Sequence, residues 1–284
     1  MSMERARSQS DQALDRWDRG AAGWSRRADS IQEFGMRVSV WMVEQLDLQP
    51  GQRVLELACG PGDTGFLAAE LVRPGGTLLA SDASEAMLGV ARGRARDLGV
   101  ANVEFKRIEL DWIDLPTASV DAVLCRWGLM FAEDPGAALQ EVRRVLRPGG
   151  KVALAVWDVP DVNPWATIPT RALVELGHSE PPDPEAPGMF ALADHERLRD
   201  LMEAAGLVEV VIESIELKRD ERGIGAYLEE TLDLSRPFAD VRDRLQAEQW
   251  AEVAARVTAL AEPFTAADGT VHFPARSLAA TAGA

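Results

Sequence analysis

The stretch Val54–Gly65 reads Val-Leu-Glu-Leu-Ala-Cys-Gly-Pro-Gly-Asp-Thr-Gly, an apolar run that ends in a glycine-spaced turn and then opens a helix. Glycines at 60, 62 and 65 let a ligand approach bare backbone and set a helix N-terminus against it. That spacing alone also suits a dinucleotide fingerprint. The flanking carboxylates separate the two readings: Glu56 and Asp63 repel a pyrophosphate and attract a ligand that carries an ammonium and a sulfonium. Further along stand Asp82 and the pair Arg126-Trp127, each at the end of an apolar run where a parallel sheet would expose it.

The elements that must position these residues share one grammar. Leu48–Gly51 precedes Arg53–Ala58, Arg73–Gly76 precedes Thr77–Ser81, and Arg147–Gly150 precedes Lys151–Trp157. Each time a helical pattern stops at a Pro-Gly turn, which cannot continue a helix and reverses the chain into a strand. Strands are predicted at 53–58, 77–81, 103–108, 120–125 and 151–157, with helices at 64–72, 84–98 and 134–146 between them. Before them, Gln9–Arg27 and Ile31–Leu46 are helical, with Trp17 and Trp24 one heptad apart. After Trp157, prolines at 160, 164, 169, 181, 182, 184 and 187 predict a partly helical excursion over the carboxyl ends of the strands. A helix at 194–205, a sixth strand at 208–217, helices over 223–235 and 238–261, and a last strand at 270–281 complete the reading. Pro274 marks an interruption or an edge in that last strand.

The chain has 284 residues, enough for one large domain with a substantial core. A formal net charge of -16, with no Lys/Arg cluster, argues against nucleic acid. Met1–Asp11 is polar and charged, which predicts neither a signal peptide nor a membrane anchor, and no run approaches the roughly 18 apolar residues of a membrane span. A cytoplasmic location is the resulting expectation. Cys59 and Cys125 lack disulfide or zinc-ligand spacing, so both thiols are expected to be reduced and no metal is expected.

Four stretches in order, Glu56–Asp63, Asp82–Leu88, Asp111–Pro116 and Glu133–Gly150, carry a resemblance to a known family. The chain resembles the class I S-adenosylmethionine-dependent methyltransferases, and within them the ubiquinone/menaquinone-biosynthesis type. The likeness covers about residues 10–157 well and 190–217 more loosely. It implies a Rossmann-like α/β fold: a mostly parallel seven-stranded sheet, helices on both faces, and a helical or irregular lid insertion. The organisation that follows is 1–48 as helices covering the cofactor site, 49–157 as the cofactor-binding core, 158–193 as the lid, and 194–284 as the rest of the fold with added helices.

The resemblance also implies roles for particular residues. The backbone of Ala58, Cys59, Gly60 and Gly62 would meet the methionine part of S-adenosyl-L-methionine, with Glu56 favouring its ammonium. Asp82 would accept the ribose hydroxyls, and Ala83 and Met87 would flank the adenine. Asp111 would accept the adenine amino group, with the Trp112 amide opposite a ring nitrogen; Arg126 and Trp127 would contact the methionine end. Trp24, Met130, Phe131, Trp157 and Trp165 are candidate walls of an apolar acceptor pocket, which suits a small apolar or aromatic methyl acceptor. Core packing explains each Trp about as well.

No catalytic residue stands out. Related enzymes are often His-rich after the fourth strand, where this chain has Leu129-Met130-Phe131, and His178, His195, His272 and Tyr227 have no assigned role. Methyl transfer is an in-line displacement for which alignment supplies much of the acceleration, so a base is optional. Two alternatives stay open from sequence: a nicotinamide-dependent oxidoreductase on the same glycine loop, and a non-catalytic cofactor-binding module. Both a monomer and a homodimer are compatible with the chain.

Overall fold

The computed structural model describes residues 3–284, with side chains from Gln12 onward. Two helices, α1 (Met3–Arg26) and α2 (Ala28–Gln45), lead into alternating elements: β1 (Arg53–Glu56), α3 (Asp63–Leu71), β2 (Thr77–Asp82), α4 (Glu85–Leu98), β3 (Val103–Arg107) and β4 (Val120–Arg126). Then come α5 (Pro135–Val145), β5 (Leu146–Trp157), α6 (Pro164–Glu175), α7 (His195–Ala204) and β6 (Val208–Glu221). The chain ends with α8 (Ile224–Leu234), α9 (Arg236–Arg242), α10 (Ala247–Ala261) and β7 (Val271–Gly283).

The seven strands form one sheet in the order β3-β2-β1-β4-β5-β7-β6. Strands β1 to β5 pair in parallel and β7 runs antiparallel between β5 and β6. The chain winds outward from β1 to β3, then returns to the other side of β1 as β4. That reversal opens a crevice at the carboxyl ends of β1 and β4, where open α/β sheets bind ligands.

Local sequence sets the element ends. The Ser84 hydroxyl caps α4 by accepting from the Met87 amide at 3.1 Å, and Gly99 ends it in the left-handed region at φ +72°. Asp134 caps α5 through the Ala137 amide at 3.0 Å, with Pro135 in its first turn. Pro274 sits where β7 has already left β5, because the last β5 pairing is Trp157 with Ser277; its missing N–H faces an open edge. The helix expected over 238–261 is two helices, α9 and α10, since Gln246 starts a new capping box with Gln249.

Two cores result. The larger wraps the sheet. The smaller joins Ile168, Ala172 and Leu173 of α6 to Tyr227 of α8, Phe238 of α9, Val253 and Val257 of α10, and Val271 and Phe273 of β7. The segment 158–193 therefore divides: α6 enters the small core with the later helices, whereas Met189, Phe190 and Leu192 return to the large one. The Gly188 amide donates to the Met130 carbonyl at 3.0 Å, tying that return to the turn after β4.

Candidate functional site

The β1 exit is built from left-handed backbone. Ala58 (φ +49°), Gly60 (φ +49°) and Gly62 (φ +93°) curl the chain into the N-terminus of α3. A Cβ built on Gly60 meets nothing within 4 Å, so this turn faces open space; at Gly62 it would lie 2.4 Å from the Phe66 ring. The loop is pinned from β2: the Cys59 amide donates to the Ser81 carbonyl at 2.8 Å and the Gly60 amide to Asp82 Oδ2 at 3.0 Å.

Glu56 is buried under this loop. Its Oε1 accepts from the Gly65 amide at 2.8 Å, while Oε2 is buried with no partner. Burial pushes the Glu56 carboxyl up to about 8, against the pull of the Gly65 amide and of Arg126. Asp82 is raised too, by burial first, with the Ser84 and Gly60 amides opposing and the carboxylate of Asp18 on α1 adding to the shift. Asp82 Oδ1 accepts from the Ser84 amide at 2.9 Å, and the Ser84 hydroxyl donates to Asp18. Asp63, at the start of α3, pairs with Arg94 and, at 3.0 Å, with Arg126.

The β4 exit completes the crevice. A Cβ on Gly128 would lie 2.4 Å from the Ala58 Cβ, so only glycine lets the β1 and β4 turns meet. Arg126 lies 4.7 Å over the Trp127 ring and keeps Nη1 buried without a partner. Trp127 stacks on Trp157 at 4.2 Å, and Phe34 of α2 stacks on Trp157 at 5.9 Å and meets Trp165 edge-on at 5.6 Å. A second aromatic group gathers Trp17, Trp24 and Phe131, with Trp17 6.0 Å from Trp24 and 5.1 Å from Phe131.

The expected residues thus fall into distinct places. Glu56, Ala58, Cys59, Gly60, Gly62, Asp82, Arg126 and Trp127 converge at the crevice, and Met87 is buried at the start of α4 with Ala83 beside it. Asp111 keeps Oδ1 buried and unpartnered, its carboxyl raised by burial against the nearby Asp134 and Glu133 amides. The Trp112 amide is already used by the Glu109 carbonyl at 3.3 Å, and its indole is 70 % exposed. Of the acceptor candidates, Met130 and Trp157 are enclosed, at 1 % and 3 % exposure, whereas Trp24, Phe131 and Trp165 are half-buried. Sequence reasoning missed Asp18, Phe34, Arg94 and Ser277, which arrive from helices and a strand far along the chain. The apolar spacing Ile31, Phe34, Val38 along α2 is the signal that points at Phe34.

Both thiols are free and buried; burial raises Cys59 and pushes Cys125 up to about 12, so neither is a thiolate at neutral pH. Among the described residues no His, Cys, Asp and Glu group could hold a metal, and no helix is long and apolar enough to cross a membrane.

A family model described as a methyltransferase domain matches residues 48–176. The ubiquinone/menaquinone biosynthesis C-methyltransferase of Ralstonia pickettii is 33% identical over 180 residues, covering 60% of this chain and 73% of that protein. The chain belongs to the class I S-adenosylmethionine-dependent methyltransferases. This methyltransferase shares its fold with the YcgJ protein of Bacillus subtilis, at TM-score 0.58 and 17% identity over 87% of this chain and 98% of that one. An S-adenosylmethionine-dependent methyltransferase from Aquifex aeolicus aligns at TM-score 0.50 and 20% identity, over 68% of this chain and 92% of its own. Membership sets aside the nicotinamide reading and the non-catalytic module: the enzyme is a methyltransferase.

The residues present fit the family's cofactor. A cationic ligand end would favour the ionised form of the raised Glu56 carboxyl, whose Oε2 is unpartnered, and polar groups of the ligand match the open face of Gly60.

Proposed function

We propose that this enzyme binds S-adenosyl-L-methionine in the β1/β4 crevice and methylates a small aromatic acceptor. The cofactor, when bound, supplies a methyl group activated on a sulfonium. The chain's own part is to hold, orient and keep dry. Ala58, Cys59, Gly60 and Gly62 offer backbone to the methionine end and Glu56 balances its ammonium. Asp82 faces the ribose, Ala83, Met87 and Asp111 border the adenine, and Arg126 with Trp127 closes the methionine side.

The observation that carries the acceptor class is the pair of aromatic groups, Trp17-Trp24-Phe131 and Phe34-Trp127-Trp157-Trp165, that flank the turn after β4. Flat apolar walls favour a flat apolar guest. The Ralstonia pickettii relative, named for quinone biosynthesis, supports the same class. Helices α1 and α2, together with residues 158–193, serve in this reading as the cover that excludes water. Orientation in such a site is worth roughly 7–11 kcal/mol. A hydroxyl or carbon acceptor must also release a proton, which passes to water where no side chain takes it, so a base assists the transfer without being required for it.

The test is incubation of purified enzyme with methyl-labelled cofactor and a panel of 1,4-naphthohydroquinone, catechol, a primary alkylamine and a short RNA. Label on one of the two aromatic probes is the expected result. Label confined to the amine or the RNA overturns the acceptor class. Thermal-shift titration with S-adenosylhomocysteine reports the cofactor half separately.

A further inference from the structure

Trp127 holds φ at +56°, a region that is costly for a bulky L-residue and persists only when its surroundings enforce it. The enforcing contacts are visible. Its amide donates to the Ala155 carbonyl at 2.8 Å, its ring stacks on Trp157 at 4.2 Å, and its indole Nε1 donates to Ser277 Oγ at 3.0 Å.

The Ser277 hydroxyl is fully buried and doubly used. It donates to the Val156 carbonyl at 2.8 Å, which turns an oxygen lone pair toward the indole. Ser277 lies on β7, opposite Trp157 in register and 150 residues beyond Trp127. The turn it grips is the one that meets the glycine loop: Arg126 pairs with Asp63 at 3.0 Å on one side of Trp127, and Gly128 abuts Ala58 on the other.

We propose that Ser277 is a positioning residue for the cofactor site. Its hydroxyl locks the Trp127 indole and so holds the Arg126–Gly128 turn against the Ala58–Asp63 loop. The inference rests on the reading that Trp127 borders the methionine end of the cofactor. Alanine fits the Ser277 space without a clash and removes the indole's acceptor together with a second donor to the Val156 carbonyl, leaving a part-buried indole N–H unpaired. The positive-φ turn then keeps its ring stack but loses the contact that fixes the ring's azimuth.

The experiment uses the full chain labelled with 15N at tryptophan. Trp127→Phe deletes one of the eight indole N–H resonances and so assigns it. In Ser277→Ala that resonance moves upfield and broadens, and the Kd for S-adenosylhomocysteine measured by calorimetry rises about tenfold. Trp127→Phe, which keeps a ring and loses the N–H, weakens binding by a similar factor, and the double variant is no worse than either single one. A Kd in Ser277→Ala within about twofold of the parent, or additive losses in the double variant, overturns the proposal. Trp127→Ala separates the two layers: if it too leaves binding unchanged, Trp127 does not border the cofactor; if it weakens binding while Ser277→Ala does not, only the positioning role fails. Where Ser277→Ala does not fold, Trp127→Phe alone decides, and unchanged affinity in it is the overturning result.

Discussion

Glu56 shows how one buried side chain ties stability to ligand binding. Its carboxyl sits at about 8 in the fold against an ordinary 4.5, so the folded protein holds this proton more tightly than the unfolded chain. The stability it allows is complete below pH 4.5 and is lost as pH rises through 8. Glu56→Gln keeps an acceptor for the Gly65 amide and removes the titration. The ligand-free variant should melt progressively higher than the parent as pH rises from 5 to about 8, and the gap should stay level above that. Melting curves across that range check it; a gap independent of pH contradicts it. Asp82 calls for a different test, because both its oxygens organise the loop. Asp82→Ala should weaken S-adenosylhomocysteine binding by about 1.5–3 kcal/mol, the range for losing a hydrogen bond to a charged group. Calorimetry on a variant with an intact melting transition measures this.

Helices α1 and α2 act through glycines and charge pairs. A Cβ on Gly23 would lie 2.0 Å from the Asp233 carbonyl oxygen, so α1 approaches α8 as closely as backbone allows. Arg27 reinforces the contact by pairing with Asp233 at 2.6 Å, and the Trp24 indole donates to the Leu234 carbonyl at 3.3 Å. At the other end, Asp18 reaches Ser84 beside the β2 exit, and Arg94 ties Gln32 of α2 to Asp63 of α3. One helix pair thus bridges the small core and the glycine loop. Gly23→Ala should force α1 off α8 at a cost of about 1–3 kcal/mol, the usual range for overpacking. Urea unfolding measures the loss. A change below about 0.5 kcal/mol would mean that α1 shifts without penalty.

The molecule as a whole has two cores strung on one long antiparallel strand pair, β6 and β7. Their outer ends, where Arg219 pairs with Phe273 and Glu221 with Val271, leave β5 behind and carry the small core. Arg219 is buried there, paired with Glu221 at 2.9 Å and Glu230 at 3.0 Å, and lies 4.9 Å over the Trp165 ring. Trp165 in turn meets Trp157, so the small core reaches the aromatic group near the crevice through one side chain. Phe273→Ala should cost about 3–5 kcal/mol, the range for a fully buried Phe. Hydrogen exchange in that variant should rise first in α6, α8, α9 and α10 while β1, β2 and β4 stay protected. Uniform deprotection would show that the two cores unfold as one unit.

The sequence by itself determined the parallel sheet, the succession of its first five strands along the chain and the glycine loop, because these depend on short-range signals; their spatial order came from the tertiary structure. Pro-Gly sequences follow the ends of α2, α3 and α5, although Arg147–Gly150 is itself an irregular start of β5 and not a turn before it. Ser84 and Asp134 cap the helices that follow them, and Gly60 and Gly62 fix a left-handed turn within a few residues. Sequence spacing also placed Glu56 and Asp82 at neighbouring strand ends, since parallel pairing puts consecutive carboxyl termini on one rim. Only the tertiary structure decided that 158–193 divides between two cores, that Trp157 is enclosed while Phe34 and Trp165 remain half-buried, and that Ser277 grips Trp127. Those outcomes join residues of different elements, 150 positions apart for Ser277 and Trp127, and no local propensity records which distant side chain will fill a given space.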